Sequence, residues 1–447
     1  MIPPMNRFKI DKTKHKKILS LSIPAALNSL LDMLQVITDL IMVGRISAFA
    51  VAAVGLGLQS LMFVFAIMTL LHIGTSALLA RFMGGGRIKQ ASLGLASLLR
   101  FAFYIAIPVT TLWYFIAPSL YIWFNTANEV IDLGSDYVTI LTFMLPFVFI
   151  KLVFVTALSS AKDTKTPFFI KLISIMLNIF LNWVLIYGNL GAPALGVQGA
   201  AIATVIINIL ELLVYIYLYI NHHMPYIPMW YYSKSLIKRA KKVGIPASIE
   251  RSLTFGSFML FTMIIAQYGT ESLAGYQIGL RIEGLAFMPG IGFTIAAMAL
   301  MGQGLGAKNP DMAREDVLLV LKYTTTFMFI IGLFMIFIPE SIAWLFTNDP
   351  QTIKEASLYL RIVGFSQIPL AFNFVLSGAL RGAGDSKRTL KINLTSLWLV
   401  RIIPAFVLSY YFDSIMVVYF AMISDTFIKA FLLWRTFNKG EWKKIKV

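Results

Sequence analysis

Four polar side chains lie at helical spacing inside the first long apolar segment of the chain, Ile18 to Gly44. Asn28, Asp32, Gln35 and Asp39 follow one another at steps of four, three and four, so on a helix they form one polar stripe. The segment is about long enough to cross a bilayer, which takes roughly 20 residues. A charge at the centre of a membrane costs at least ~2.5–3.5 kcal/mol. The two carboxylates therefore need partners, protons or a bound cation, and we interpret the stripe as half of a cation site in a transporter.

The composition indicates a polytopic membrane protein. Of the 447 residues, 58% are hydrophobic and only 13% are charged, whereas soluble proteins carry about 25% charged residues. Apolar runs of about 20 residues or more predict twelve membrane spans, all of them helical. Cysteine is absent, which excludes disulfides, cysteine nucleophiles and thiolate metal sites.

The net charge of +17 predicts membrane orientation rather than nucleic-acid binding, because the basic residues cluster in alternate loops. Arg81, Arg87 and Lys89 follow the second span, whereas the next loop holds Glu129 and Asp132. Loops rich in lysine and arginine stay on the cytoplasmic side of a membrane. We therefore expect a multi-pass protein of the cell (inner) membrane with both termini in the cytoplasm.

The two halves of the chain repeat each other. The run Ile23–Ala25 recurs as Ile245–Ala247, a shift of 222 residues, and the same shift pairs Gly84 with Gly306. It also pairs the first predicted span with the seventh, so both copies start on the same side of the membrane. The sequence thus predicts two parallel six-helix repeats about an axis along the membrane normal, with a central cavity between them.

This organisation predicts five segments. They are a basic cytoplasmic tail at 1–16, an N-terminal lobe of six helices at 17–220, a cytoplasmic connecting loop at 221–239, a C-terminal lobe of six helices at 240–437, and a second basic cytoplasmic tail at 438–447.

Several motifs, taken in order, resemble the multidrug and toxic compound extrusion (MATE) family. The first span ends in Thr38–Arg45 (TDLIMVGR), and Ala157–Pro167 (ALSSAKDTKTP) is partly repeated by Ala379–Ser386 (ALRGAGDS). The others are Gly191–Thr204 (GAPALGVQGAAIAT) and Leu300–Lys308 (LMGQGLGAK). The resemblance covers nearly the whole chain. It implies a V-shaped pair of lobes that exports cationic, often aromatic compounds in exchange for Na⁺ or H⁺.

The same resemblance implies a coupling-ion site in the first lobe. Its residues fall on Asp39, Asn178, Asn182 and Thr204, with Asn182 standing where the family pattern has an aspartate. One acid is then present where two are usual, and Asp32, one heptad before Asp39, could restore the second charge. The alternative is a hydrogen-bond cluster that only stabilises the lobe. No metal is expected beyond Na⁺ at Asp39.

The second lobe carries charges of both signs within its spans, which favours internal ion pairs because single charges in lipid are costly. A substrate or proton role for Glu250 or Glu283 is the alternative, with Arg281 and Gln35 as further candidates. Asp425 and Lys429, four residues apart, are predicted to pair with each other. In the first lobe, Lys151 is expected to extend towards the membrane surface, and a pair with Glu211 is the second option. His72 is the sole histidine of the second span. It is predicted to be a hydrogen-bonded structural residue, with a proton relay as the alternative.

The function that we predict is cation-coupled export of organic cations by alternating access. The chain holds no ATP-binding module, so transport would draw on an ion gradient and need no cofactor besides Na⁺ or H⁺. No constellation of nucleophile, base and metal predicts an enzyme. We expect a monomer in the lipid bilayer that binds small organic cations and no nucleic acid. The main alternative is a flippase for lipids or lipid-linked oligosaccharides, whose cationic cavity would use Arg281, Arg361 and Arg401; a channel or a scaffold is a third reading.

Overall fold

The structure is a computed structural model that describes residues 12–123, 126–412 and 414–445. Throughout these ranges the regular structure is helical. The helices are α1 (Lys12–Gly44), α2 (Ala48–Ser60), α3 (Met62–Gly84), α4 (Ile88–Trp123), α5 (Asn128–Thr142), α6 (Leu145–Ser160), α7 (Lys165–Tyr187), α8 (Gly196–Ile220), α9 (Lys234–Ala266), α10 (Thr270–Gly306), α11 (Pro310–Phe337), α12 (Pro339–Trp344), α13 (Pro350–Phe365), α14 (Gln367–Gly382), α15 (Ser386–Ser396), α16 (Ile403–Tyr411) and α17 (Ile415–Lys439). A π-helical turn at Leu397–Ile402 joins α15 to α16, and short 3₁₀ turns lie at Asn189–Gly191 and Glu441–Lys444.

The described residues contain ten helical stretches that are long and apolar enough to cross a membrane, and up to twelve if each of two bent pairs is one span. The bent pairs are α5 with α6, at 50°, and α13 with α14, at 57°. In both pairs a proline, Pro146 or Pro369, follows the break within the first turn of the second helix. Proline lacks the backbone N–H that would continue the helical ladder across the break. The prediction of an all-helical bundle is confirmed, and the predicted twelve spans are reached when each bent pair is taken as one span.

The helix bounds repeat with the shift read from the sequence. Helices α1 and α9 begin at Lys12 and Lys234 and end at Gly44 and Ala266, so both bounds differ by 222 residues. The bent spans repeat in the same way, since α6 runs from 145 to 160 and α14 from 367 to 382. The last helices, α8 and α17, depart from the shift by a few residues. Helices α1–α8 therefore form one lobe and α9–α17 a second lobe of the same design.

The lobes meet closely where α3 crosses α10. A β-carbon added to Gly84 would lie 2.0 Å from the carbonyl oxygen of Gln303, and one added to Gly306 would lie 2.0 Å from that of Arg81. The 222-residue shift exchanges these two contacts, so the crossing lies on the pseudo-twofold axis between the lobes. Only glycine allows backbones to approach this closely. The crossing is at the end of the bundle that carries the basic loops.

Two of the predicted segments differ from the structure, because helical or buried residues extend into the predicted loop and the predicted tail. The connecting loop at 221–239 ends early, because α9 begins at Lys234 with the Ser233 side chain accepting a hydrogen bond from the backbone of Leu236. The predicted tail at 438–447 contains the buried Trp442, which stacks on Phe437. Residues 1–11 and 446–447 of the two predicted tails lie outside the described residues, and α1 already begins at Lys12.

Candidate functional site

The first lobe encloses a cavity of about 510 Å³ that we call the first-lobe cavity. Its wall is formed by helices of the first repeat alone. Asn28, Asp32, Gln35 and Asp39 all line it, which is the placement that their helical spacing predicts. Because these side chains share one face of α1, they face the cavity together.

Asp39 is held by amides rather than by a basic side chain. Its Oδ1 accepts a hydrogen bond from Nδ2 of Asn182 at 2.6 Å, and the same Nδ2 lies 3.3 Å from Oδ1 of Asn178. The two asparagines are completely buried, and Asp39 is 8% exposed. Among the described residues, no lysine or arginine forms an ion pair with Asp39, while Oδ1 of Asn182 and Nδ2 of Asn178 have no hydrogen-bond partner. The cluster therefore combines a carboxylate with one amide oxygen and one amide nitrogen that have no hydrogen-bond partner, in a small buried space.

Thr204 lies on the wall of the same cavity but does not join the amide cluster. Its hydroxyl donates to the backbone carbonyl of Ala200, one helical turn earlier, at 3.0 Å. The structure thus brings together three of the four residues that the family resemblance implies, namely Asp39, Asn178 and Asn182.

Asp32 is paired with Lys171, a residue that the sequence reasoning missed. Nζ of Lys171 lies 2.7 Å from Oδ1 of Asp32 and 2.7 Å from Oε1 of Gln35. The sequence leaves open whether Asp32 restores a second charge beside Asp39, and in the structure the charge of Asp32 is balanced by this lysine. The available signal was a lysine inside an apolar span, two helical turns before Asn178 and so on the same face of α7.

A second ion pair lies in the same wall. Lys151 on α6 donates to Glu211 on α8 and, at 2.5 Å, to Oδ1 of Asn208. The expectation that Lys151 extends to the membrane surface is therefore wrong, because α6 packs beside α8 and offers it an acid within the lobe. The cavity wall contains two lysines and three acids, and the two ion pairs leave Asp39 as the acid without a basic partner.

Two buried acids of the second lobe, Glu250 and Asp425, pair with bases of the same lobe. Oε1 of Glu250 accepts hydrogen bonds from Nη2 of Arg381 and Nδ2 of Asn393, each at 2.5 Å. Lys429 and Asp425 form the predicted pair at 2.7 Å. Glu250 thus pairs with an arginine of a neighbouring helix, which matches the internal pairing predicted for this lobe.

The remaining candidates of the second lobe make separate direct contacts. The Tyr359 hydroxyl donates to Glu283 at 2.6 Å, and Arg281 is exposed. Arg361 pairs with Glu340 at 2.5 Å, and Arg401 lies over the ring of Phe261. These contacts engage Arg361 and Arg401 separately, without forming the cationic cluster that the flippase alternative would use.

His72 makes the hydrogen bond expected of a structural residue. Its Nδ1 lies 3.0 Å from the hydroxyl of Thr156, and the ring also borders the first-lobe cavity. The bond fixes α3 against α6 at the inner wall of the lobe.

Comparison with known proteins identifies the family. The MatE family model matches residues 24–184 and 246–407, one stretch in each repeat. The chain belongs to the MatE family. It is 28% identical over 442 residues to the probable multidrug resistance protein NorM of Thermotoga maritima, covering 96% of this chain and 93% of the relative. It is also 26% identical to the probable multidrug resistance protein YoeA of Bacillus subtilis, over 95% of this chain and 93% of that protein.

The fold is that of solved transporters. A MOP superfamily transporter from Pyrococcus furiosus superposes with a TM-score of 0.89 at 21% identity, covering 97% of both chains. The two-lobe bundle is therefore the arrangement of this MatE chain, and the protein is a multi-pass membrane transporter rather than an enzyme.

Proposed function

We propose that this MatE transporter exports small organic molecules carrying a positive charge, in exchange for an entering Na⁺ or H⁺ that binds at Asp39. The observation that carries the proposal is the pairing pattern of the first-lobe cavity. Both lysines of its wall are engaged by other acids, whereas Asp39 has only a neutral amide donor. A carboxylate held that way in a low-dielectric setting gains free energy from a proton or a bound cation.

The donor set of the cluster suits either coupling ion. Hard cations such as Na⁺ prefer oxygen ligands, and the carboxylate of Asp39 lies beside the unpartnered Oδ1 of Asn182. A proton on Asp39 would also remove the charge. With an amide at Asn182 in place of the usual acid, a single monovalent cation is enough to neutralise the cluster. We therefore propose one coupling charge at this site in each transport cycle.

Neutralisation of Asp39 would link ion binding to alternating access, because it changes which conformation of the first lobe is favoured. With Asp39 neutral, the polar stripe of α1 can be packed away from water at lower cost, so the ion favours one conformation of the lobe. The organic substrate favours another conformation or competes for the same charge, which is all that exchange requires. Aromatic and methionine side chains of the cavity, including Phe65, Met68 and Tyr137, would contact the body of the substrate.

The orientation and assembly are part of the same proposal. The basic loops at the end of the bundle where α3 crosses α10 would face the cytoplasm, with both termini on that side of the cell membrane. A monomer is sufficient, because each chain holds both lobes and its own cavity.

Efflux from proteoliposomes tests the proposal. Vesicles loaded with a fluorescent organic cation would be given an inward gradient of Na⁺ or of H⁺, in separate experiments, for the wild type and for Asp39→Asn. We expect one of the two gradients to accelerate wild-type efflux and to have no effect on the variant. The matched control is Asp136→Asn, which removes an exposed acid of the same lobe that contacts Gln198. Gradient-driven efflux by Asp39→Asn at the wild-type rate would refute the assignment.

A further inference from the structure

The first lobe has a second hollow, a groove of about 330 Å³ formed by α4, α6 and α8, and we call it the α4–α8 groove. It shares no lining residue with the first-lobe cavity. Helix α6 separates the two. Lys151 and Val155 line the first-lobe cavity. Ile150 and Phe154 line the groove from the opposite face of the same helix, so the groove is a site of its own that the proposed transport mechanism does not use.

The lining of the groove is mostly apolar, and part of it faces outwards. Phe103 and Tyr104 on α4 are 47% and 68% exposed, and both lie within a membrane span. Phe154 on α6 is 2% exposed and forms the floor. Exposed apolar side chains of a membrane span meet lipid tails, which are as apolar as leucine. A hydrocarbon chain can therefore lie in the groove with Phe154 beneath it.

Arg100 brings a positive charge to this apolar lining. Among the described residues that line the groove, it alone is charged. Its Nη2 donates to the carbonyl oxygen of Trp230, and the guanidinium lies 5.2 Å from the centre of the Tyr232 ring. No acid in the described part of the chain forms an ion pair with it. A guanidinium has further N–H donors, and a charge at a membrane-facing position is costly without a partner of opposite sign, so Arg100 can still take an anion.

The connecting loop places Arg100 at the edge of the hydrocarbon layer. Residues 221–233 are not helical, and lipid-exposed irregular backbone stays outside the hydrocarbon core. The backbone N–H of Ser233 donates to Oγ of Ser97 at 2.8 Å, one helical turn before Arg100. Trp230 is 86% exposed, and tryptophan is enriched at the boundary between membrane and water. The guanidinium therefore lies at the level of the lipid headgroups, with the groove leading from it along α4.

The surroundings of Arg100 favour an anionic headgroup over a zwitterionic one. Lys234 directly follows Ser233 and is exposed. Nζ of Lys241 lies 4.5 Å from the centre of the ring of Phe101, the neighbour of Arg100. No described residue of the lining is an acid that could pair with a headgroup ammonium. A phosphate fits the planar fork of a guanidinium, whereas an ammonium beside these bases would be repelled.

We infer that the α4–α8 groove binds an anionic phospholipid, with its phosphate on Arg100 and one acyl chain over Phe154. The same guanidinium would then hold both the lipid and the carbonyl oxygen of Trp230, so the lipid is joined to the loop that connects the two lobes. The inference concerns the lipid-facing side of the first lobe and does not rest on the proposed function.

Native mass spectrometry of the purified transporter tests the inference, because it resolves each bound lipid by mass. Phosphatidylglycerol and phosphatidylcholine with identical acyl chains would be titrated separately in a neutral detergent. For the wild type we expect the first phosphatidylglycerol to bind about tenfold more tightly than the first phosphatidylcholine, which corresponds to about 1.4 kcal/mol. Equal dissociation constants would overturn the inference without the use of any variant.

Inorganic phosphate and a groove-filling variant separate the headgroup from the chain. Inorganic phosphate at the concentration of the lipid should not displace phosphatidylglycerol, because it lacks the acyl chain. Ile216→Trp enlarges a side chain of the lining and should weaken phosphatidylglycerol by roughly tenfold. Displacement by phosphate, or full affinity in Ile216→Trp, would show that the chain does not occupy the groove and would overturn the inference.

Substitutions of Arg100 test the headgroup contact. Arg100→Gln should lose the preference for phosphatidylglycerol, and Arg100→Lys should keep most of it because the charge remains. Lys89→Gln is the matched control, since it removes an exposed base from the same helix about three turns earlier and should bind as the wild type does. A preference that survives in Arg100→Gln would overturn the inference. So would an equal loss in Lys89→Gln, because that result would show a general effect of charge.

Discussion

A methyl group at Gly84 is expected to shift the transporter away from the conformation described here. The new β-carbon would lie 2.0 Å from the carbonyl oxygen of Gln303 and 2.4 Å from its Cα, where ordinary contacts begin at 3.4 Å. Both are backbone atoms, so no side-chain rotation can relieve the clash, and α3 and α10 must separate. Overpacking of this kind costs about 1–3 kcal/mol. A conformation in which α3 and α10 lie further apart escapes this cost, so the variant should shift the population towards it by roughly 5- to 150-fold.

The shift can be measured by cysteine labelling. The chain contains no cysteine, so one introduced thiol is the only target for a water-soluble maleimide. Met298 on α10 is 1% exposed and packs into the core of the first lobe, so its position becomes accessible when the lobes separate. In a Met298→Cys background, Gly84→Ala should raise the labelling rate by roughly the same 5- to 150-fold. The effect should open the end of the bundle that carries the basic loops.

Two further variants make the prediction specific. Gly306→Ala should act like Gly84→Ala, because its β-carbon would lie 2.0 Å from the carbonyl oxygen of Arg81 in the symmetry-related contact. Gly55→Ala on α2 is the matched control, since no atom lies within 4 Å of its new methyl group. The reasoning is refuted if Gly84→Ala folds normally and labels at the rate of Gly55→Ala.

Two other predictions concern stability, measured by thermal unfolding of the purified protein. Lys151→Met should destabilise the first lobe by about 3–5 kcal/mol, because it leaves Glu211 as an uncompensated buried charge. The double variant Lys151→Met with Glu211→Leu should recover most of that loss, and a double variant no more stable than the single one would contradict the argument. Trp442→Ala should cost about 3–5 kcal/mol, because the ring is fully buried and its Nε1 donates to the carbonyl oxygen of Phe437 at 2.7 Å. A melting temperature unchanged by Trp442→Ala would instead show that the segment is the loose tail expected from its basic composition.

The arrangement of the helices follows closely from the sequence. An apolar run of about twenty residues predicts a helical span, because a helix satisfies its own backbone groups inside a bilayer. The repeat of Ile23–Ala25 at Ile245–Ala247 predicts that both halves share one arrangement. The bends in the fourth and tenth spans were not predicted. Apolar length alone does not distinguish a straight helix from two helices joined at a break, although Pro146 and Pro369 lie within one position of each other when the repeats are aligned.

Contacts between helices were harder to predict than positions along one helix. The stripe from Asn28 to Asp39 needs only the helical period, and the structure has all its members on one wall. The partners of Asp32 and Lys151 depend on which helices are neighbours and on how far each is translated along its axis. Periodicity within one segment contains no such information. Lys171 was missed for this reason, because it is noticeable only when α7 is known to pack against α1.

The pairing of charges in the first lobe fits an asparagine at 182, where the family resemblance implies an acid. Lys171 and Lys151 are each matched by one acid, so their two pairs add no net charge to the wall. Asp39 then contributes the one unmatched negative charge. An aspartate at 182 would place a second carboxylate within hydrogen-bonding distance of the first, and two such groups cannot both ionise without another cation. The amide instead donates to Asp39 at 2.6 Å, so under the proposed function one entering cation would suffice to neutralise the site.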